Sequence, residues 1–461
     1  MKHLRRSSIV FVLIIILSVG ASAQPFAPGN FDVSSPHALL MDMSSGLLLY
    51  QKGVTERLFP ASTTKIMSAI VALEANPDFD AKVTVSDNAV ASTPVGSSSM
   101  GLRAGEVVTF GDLIYGMMVY SANDAANAIA EYISGDIPSF VKKMNEKAAA
   151  LGATDTHFVT PHGFHDPDHY STAYDMALFA RFAMTDPTIS PTFRKIVSTE
   201  TYTIEPTNLY PEKRIMQNTN LLLPNTQDKR YILNEAIGIK TGHTSESGYC
   251  LVSAINKNGQ ELLAVVMGAG IEDGLTMSYM DSLALYGYAG REFQRQVIAS
   301  AGDSLAEAPI KNAFGSRYIL LNAKEDFSVM LPIGYDPALL TNETDLVPKI
   351  KAPVKEGKEL GTITYFYNGE TLGTIPLVAD KTYHLNPLLF LLNGFIWIIT
   401  SPWFFIPVLA MVIFITSVRL RRRHRRQQKR IAQRKALQEE NARKERESQR
   451  EFETSIHWDE F

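Results

Sequence analysis

Three short polar groupings hold side chains suited to acyl transfer. Ser62 stands three residues before Lys65 at the mouth of an apolar run, Ser121 stands two before Asn123, and Lys240-Thr241-Gly242 precedes another apolar stretch. A serine hydroxyl is a poor nucleophile until a base takes its proton, and a lysine whose pKa is lowered can be that base. If the run is helical from about Ser62, Ser62 and Lys65 share one face. Ser62 then lies at the positive end of the helix, where a developing anion is stabilised. Each grouping also has an ordinary reading: an N-cap followed by a solvated lysine, a pair of caps for a helix at Asp124, and a strand end. Their joint occurrence is what carries the signal.

The elements that must position these groups follow from periodicity and turn residues. Strands are expected at 38–42 and 47–50 around Gly46, and a helix over 62–74 that is apolar around most of its circumference. Residues 91–101, with Gly96 and three consecutive serines, read as an exposed loop. Thr109 and Asp112 form a capping-box pattern opening a helix that stops near Tyr120. The turn at 121–124 then joins two helical runs, so its side chains can project into a cleft. Helices follow over 139–151 and 174–184, and 195–204 reads as extended. Asn258-Gly259 is a two-residue hairpin signal between the runs 248–255 and 260–267. That places Lys240-Thr241-Gly242 on a neighbouring strand of an antiparallel sheet, with a closing helix over 276–288.

With 461 residues, 45% hydrophobic and 20% charged, the chain can bury a large core and hold more than one domain. The net charge of −4 conceals an asymmetry: from Arg419 onward there are 14 Lys/Arg against 8 Asp/Glu, and setting aside also the three basic residues of the leader leaves 27 against 40. Such a balance in the middle part excludes nucleic acid as a partner by charge. One cysteine, Cys250, excludes an internal disulfide and a cysteine-based metal site, and its place in an apolar run reads as a small buried hydrophobe. Residues 1–23 have the form of an export signal, with Lys2, Arg5 and Arg6 before an apolar core and Ala21-Ser22-Ala23 before the cut.

Residues 291–382 contain short β-like runs broken by turns and suggest a small all-β domain. Within them Asn368-Gly369 marks a turn, though not between matched long strands. Residues 383–395 read as an interfacial lead-in, 396–418 as a transmembrane helix, and 419–461 as a basic, charged cytoplasmic tail. An extracytoplasmic domain over 24–290, one span and a cytoplasmic tail are therefore expected, with membrane lipid as a partner. Trp458 and Phe461 are candidate contacts for a cytoplasmic partner of the tail, although a plain stop-transfer flank accounts for the same residues.

The three groupings, in this order, resemble the active-site set of the penicillin-binding proteins and serine β-lactamases. The local wording is closer still: Phe59-Pro-Ala-Ser-Thr-Thr-Lys-Ile-Met, Tyr120-Ser-Ala-Asn-Asp-Ala, Pro161-His-Gly-Phe-His and Gly238-Ile-Lys-Thr-Gly-His-Thr-Ser-Glu-Ser-Gly-Tyr-Cys resemble the low-molecular-weight D-alanyl-D-alanine carboxypeptidases, serine peptidase family S11. The resemblance covers about residues 30–290 densely and extends loosely through the β region. It implies an α+β penicillin-binding/serine β-lactamase-like transpeptidase fold, an antiparallel sheet flanked by helices, followed by the small all-β domain and the transmembrane helix. It implies removal of the terminal D-alanine from peptidoglycan pentapeptide stems through an acyl-enzyme, with β-lactams as covalent inhibitors and no cofactor. D,D-endopeptidase or β-lactamase-like activity, or a weakly active wall-binding scaffold, are the alternatives. No Glu-x-x-x-Asn motif lies between 123 and 240, which disfavours a class A β-lactamase.

By the same resemblance Ser62 is the nucleophile and Lys65 its base. Ser121 relays a proton to the leaving amine with help from Lys240, and Asn123 holds the substrate amide and the Lys65 amine. Thr241 and Gly242 bind substrate at the strand edge. The backbone N–H of His243 completes an oxyanion hole with that of Ser62. One departure stands out. The well-studied enzymes carry a carboxylate-binding arginine just before the closing helix, where this chain has Gly274-Leu275 and no arginine between Arg230 and Arg291. Loss of such a contact is worth roughly 1.5–3 kcal/mol, for which Thr241 or Arg214 are candidate substitutes. His162, His165, Asp166, Asp168 and His169 have zinc-ligand chemistry, but Pro161, Gly163 and Pro167 break the helix such a pair would need, so no metal is expected.

Overall fold

The structure, a computed structural model, describes residues 29–75, 78–224 and 228–456. The export signal over 1–23 and the tail aromatics Trp458 and Phe461 lie outside them. The chain divides into two units. The first runs through Ala306 and adds Leu321–Val347 and Glu359–Val378; the second comprises Glu307–Leu320, Pro348–Lys358 and the chain from Ala379 onward.

In the first unit, β1 (His37–Asp42) and β2 (Leu48–Lys52) pair around the turn at Gly46. A 3-10 turn (Ala61–Thr64) runs directly into helix α1 (Lys65–Ala75), tightening the expected helix start by one turn. Residues 65–73 are all buried, because α1 packs against α3, α4, α5 and α6, described next. Around it come β3 (Lys82–Thr84), α2 (Asp87–Ala91), β4 (Val107–Thr109), α3 (Phe110–Val119), α4 (Asn123–Ser134), α5 (Ile137–Ala150), α6 (Ala173–Thr185) and α7 (Ser190–Val197). The expected box at the start of α3 is present: Thr109 Oγ1 accepts from Asp112 N at 2.9 Å and Asp112 Oδ2 accepts from Thr109 N at 3.0 Å. α7 corrects the extended reading of 195–197. Pro191 starts that helix, and Phe193, Ile196 and Val197 fall on one buried face. Extended chain begins only at β5 (Thr201–Ile204), paired with β6 (Arg214–Gln217).

The main sheet is antiparallel in the order β2-β1-β9-β8-β7, with β7 (Ala236–Thr244), β8 (Gly248–Lys257) and β9 (Gln260–Ala269) joined by tight turns. Along β8, Cys250, Val252 and Ala254 enter the core shared with α1 and α6. Leu251 packs with Tyr279, and Ser253 Oγ bonds Tyr286 Oη at 2.8 Å, both tyrosines belonging to α8 (Met277–Glu292). Alternate residues thus face opposite layers, so helices cover both sheet faces and the strand sequences are apolar without alternation. A two-strand ribbon, β10 (Ile271–Glu272) with β11 (Leu275–Thr276), leads into α8.

From 293 to 379 the regular elements are strands, with one 3-10 turn at Pro337–Leu339: β12 (Phe293–Ala299), β13 (Ser304–Pro309), β14 (Tyr318–Ala323), β15 (Phe327–Pro332), β16 (Leu340–Leu346), β17 (Glu359–Tyr367) and β18 (Glu370–Ala379). Within the first unit β12 pairs with β15, and β17 pairs with both β16 and β18. Asn368 and Gly369 (φ +50° and +85°) do connect two matched long strands, contrary to the sequence reading. The glycines Gly361 and Gly373 inside β17 and β18 obscure the strand pattern there. In the second unit the apolar C-terminal stretch is two helices, α9 (Pro387–Thr400) and α10 (Pro402–Ile456). The break falls at Ser401, since a residue before proline is driven out of the helical region. Among the described helices, α10 is the one with length and composition to cross a membrane.

The buried carboxylate of Asp281 on α8 ties the chain's entry segment to its last catalytic-layer helix. It accepts from Ser35 N at 2.8 Å, Ser35 Oγ at 2.5 Å, and Ser34 N and Oγ at 3.3 and 3.2 Å. Asp281→Ala leaves these donors without an acceptor and is expected to lower unfolding free energy by roughly 2–4 kcal/mol in denaturant titrations. An unchanged midpoint would show that the tether carries no stability.

Candidate active site

Ser62 sits in the 3-10 turn ahead of α1, where the chain is held in unusual backbone conformations. Ala61 has φ +47°, and Ser121, on the turn between α3 and α4, has φ +66°. Each costs on the order of 1 kcal/mol for a residue with a Cβ, a strain characteristic of sites whose geometry is fixed by their surroundings. Thr63 anchors the turn from within, its Oγ1 donating to Pro60 O at 2.6 Å.

Lys65 is fully buried. Its Nζ lies 2.8 Å from Ser62 Oγ, 2.6 Å from Asn123 Oδ1 and 2.9 Å from His162 O. Two of these three partners, a carbonyl and an amide oxygen, can only accept. A neutral amine has two N–H donors and one lone pair, so donation to Asn123 and His162 leaves the lone pair for the Ser62 hydroxyl. The electrostatics favour that form. Burial holds the Lys65 pKa well below the ordinary lysine value, the Lys240 charge pushes it further down, and Asp124 opposes both more weakly. Lys240 is itself buried and brought down to about 7 by desolvation, with Nζ donating to Thr241 O at 3.2 Å.

Ser121 and Asn123 do not cap α4. The N-cap is Ala122, without a side-chain bond, and Asn123 N donates to Ser98 O at 2.8 Å. The loop carrying Ser98 is pinned by the buried Asp124 carboxylate, which accepts from Ser99 Oγ (2.6 Å), Met100 N (3.1 Å) and Leu102 N (2.9 Å). Part of the expected exposed loop is thereby a fixed wall. On the other side β7 approaches Ser62 so closely that a Cβ on Gly242 would stand 3.0 Å from Ser62 N. Glycine is needed there for the strand to meet the turn that carries Ser62.

These elements enclose a cleft of about 710 Å³, lined by Ser62, Ser121, Asn123, Thr241, Gly242 and His243 among the predicted residues, while Lys65 and Lys240 are buried. The His243 ring is exposed and lies 4.2 Å from the Tyr249 ring, centroid to centroid.

The histidine segment packs against the 3-10 turn that carries Ser62. Gly163 (φ +79°) lies so near that a Cβ would collide with Ala61 O and come 2.5 Å from Thr64 Oγ1. His169 Nδ1 accepts from Val159 N at 3.0 Å, so its Nε2–H donates to Thr64 Oγ1 at 2.9 Å. His162 Nδ1 accepts from Phe164 N at 3.1 Å. Burial lowers His162 to about 3 and His169 to about 4, with Asp166 opposing the shift at His169. Their rings brace backbone, and among the described residues no three His, Cys, Asp or Glu side chains gather as a metal site.

The sequence reading missed Thr219, whose Oγ1 lies 2.7 Å from Thr241 Oγ1 in the cleft and whose carbonyl accepts from Tyr279 Oη at 3.0 Å. The Asn218-Thr219-Asn220 triplet before three leucines was the available signal. Leu275 packs with the Leu222, Tyr231 and Tyr279 cluster. Arg214 is committed elsewhere, to Glu106 and to the Tyr210 ring, and does not line the cleft.

The profile of the D-alanyl-D-alanine carboxypeptidases, Peptidase S11, matches residues 21–270, and that of the penicillin-binding protein 5 C-terminal domain matches 293–384. The carboxypeptidase DacF of Bacillus subtilis is 31% identical over 388 residues, 83% of this chain and 94% of the relative. DacC of Escherichia coli is 34% identical over 350 residues, 74% and 82% of the two chains. The crystal structure of penicillin-binding protein 5 from Haemophilus influenzae superposes with a TM-score of 0.62 at 29% identity, covering 77% of this chain and 98% of that one.

Because His162 and His169 are neutral when folded but titrate near 6.5 when unfolded, the unfolded state binds more protons between pH 6.5 and about 4. Stability is therefore full above pH 6.5 and falls as pH drops, by about 1.4 kcal/mol per unit for each histidine. His169→Gln is expected to flatten the slope of unfolding free energy against pH across that window. An unaltered slope would mean His169 is protonated in the fold.

Proposed function

The chain belongs to the D-alanyl-D-alanine carboxypeptidase family of serine peptidases, and we propose that Ser62, activated by Lys65, is the group through which it removes the terminal D-alanine of peptidoglycan stem peptides. The observation that carries this is the Lys65 amine, 2.8 Å from Ser62 Oγ with its two N–H bonds taken by Asn123 and His162.

In this reading Ser62 Oγ attacks the carbonyl between the last two residues while its proton passes to Lys65 Nζ. The oxyanion that forms is met by the backbone N–H groups of Ser62 and His243. Collapse breaks the C–N bond, and the leaving D-alanine amine takes a proton through Ser121, with the buried Lys240 cation promoting the transfer. Water then hydrolyses the acyl-enzyme. A β-lactam acylates Ser62 by the same first step. The C-terminal carboxylate of the substrate meets the paired hydroxyls of Thr241 and Thr219, in place of the arginine that Leu275 replaces.

The domain over 24–290 and the β region over 291–382 work on the outer side of the membrane. Residues 396–418 hold them to the lipid, and 383–395 lie at its interface. The arginines after 418 stay in the cytoplasm by the positive-inside preference, where residues 419–461 form the segment that a partner would meet.

Full-length protein in detergent is expected to release D-alanine from a pentapeptide and to be labelled by a fluorescent penicillin, and Ser62→Ala to do neither. Labelling that survives in the variant would remove Ser62 from the nucleophile role. Thr219→Val is expected to raise KM for the pentapeptide about tenfold, the value of one hydrogen bond to a charged group. An unchanged KM would place carboxylate recognition elsewhere.

A further inference from the structure

The cleft is electrically lopsided. Its Thr241 end lies beside the buried Lys240, whereas Glu246 supplies the one carboxylate among its lining residues. Glu246 is exposed, near the tip of the turn that joins β7 to β8. The turn is braced from inside. Thr244 N donates to Ser247 Oγ at 2.8 Å, Ser247 N donates to Thr244 Oγ1 at 3.1 Å, and Ser247 Oγ lies 2.9 Å from Gly248 O. Gly248 (φ +62°) closes it, where a Cβ would stand 2.8 Å from Ala269 O. Glu246 is thus presented on a preorganised support.

The orientation of the substrate follows from the proposed function, on which this inference rests. With the leaving carboxylate at Thr241 and the scissile carbonyl at Ser62 and His243, the acyl part of the stem runs onward past Thr244. An extended peptide advances roughly 3.3 Å per residue, and a four-residue turn closes within about 7 Å. The side chain of the third stem residue, next to the acyl residue, therefore comes within reach of the turn tip. The cleft is also lined by Phe164 and His165, the latter packed edge-on against Phe59 with ring centroids 4.5 Å apart. Those rings offer an apolar surface for the methylene stem of a long side chain, and Glu246 a charge for its end.

We propose that Glu246 is a specificity residue that selects stem peptides whose third residue carries a free ammonium. The substrate then complements the cleft, its carboxylate toward the Lys240 end and its ammonium toward the glutamate.

The test uses the full-length protein in detergent and two pentapeptides ending in D-alanyl-D-alanine, identical except for L-lysine or Nε-acetyl-L-lysine at the third position. Wild-type kcat/KM is expected to favour the free amine about fivefold, the upper range for a solvent-facing pair. The preference should shrink in about 1 M NaCl, where screening is nearly complete. Glu246→Gln is expected to bring the ratio to about one and Glu246→Lys to invert it, both through KM. A ratio equal in wild type and Glu246→Gln overturns the role of Glu246 alone. Hydrolysis of neither peptide by the wild type overturns the carboxypeptidase reading, and Glu246 with it.

Discussion

A lysine amine with no water around it is the constraint on which the rest of this site depends. Burying a charged ammonium is expensive, and Lys65 is relieved of that penalty by losing its proton, not by gaining a carboxylate partner. The nearest acid to act on it, Asp124, spends its oxygens on the loop 99–102. The surroundings of Lys65 therefore supply acceptors without negative charge, which is what keeps an amine basic enough to take a proton yet unprotonated beforehand. Packing of α1 over residues 65–73 against the surrounding helices gives its first residue a buried interior.

Much of this arrangement was legible in the chain itself. The Ser62/Lys65 spacing, the polar turn at 121–124, the Asn258-Gly259 hairpin and the Thr109 box each have a local cause, and each local cause survived packing. What escaped was decided by tertiary contacts. Residues 195–197 are helical because Phe193, Ile196 and Val197 have a core to enter, a fact invisible over so short a run. Thr219 joins Thr241 across more than twenty residues with no motif of its own. The carbonyl of His162 matters to Lys65 although its side chain drew the attention, since a main-chain acceptor has no signature in residue type.

The two faces of the main sheet divide the labour. One packs on the helices that carry Ser62, Lys65 and Asn123; the other on α8, which reaches the same cleft through Tyr279. β7 is an edge strand of the main sheet, paired with β8 and approached by the 3-10 turn and α7. The sheet thus supports the 3-10 turn that carries Ser62.

The closeness of Gly163 to Ala61 and of Gly242 to Ser62 has a further consequence for how such a protein diversifies. The width of the reaction centre is set by main chain against main chain, so inherited variation there has few intermediate settings: a side chain either fits or dislodges the nucleophile. Changes in what the cleft admits are therefore accommodated at a distance from the centre. In the turn between β7 and β8 that place is the exposed pair Ser245 and Glu246, since Thr244, Ser247 and Gly248 hold the turn's shape.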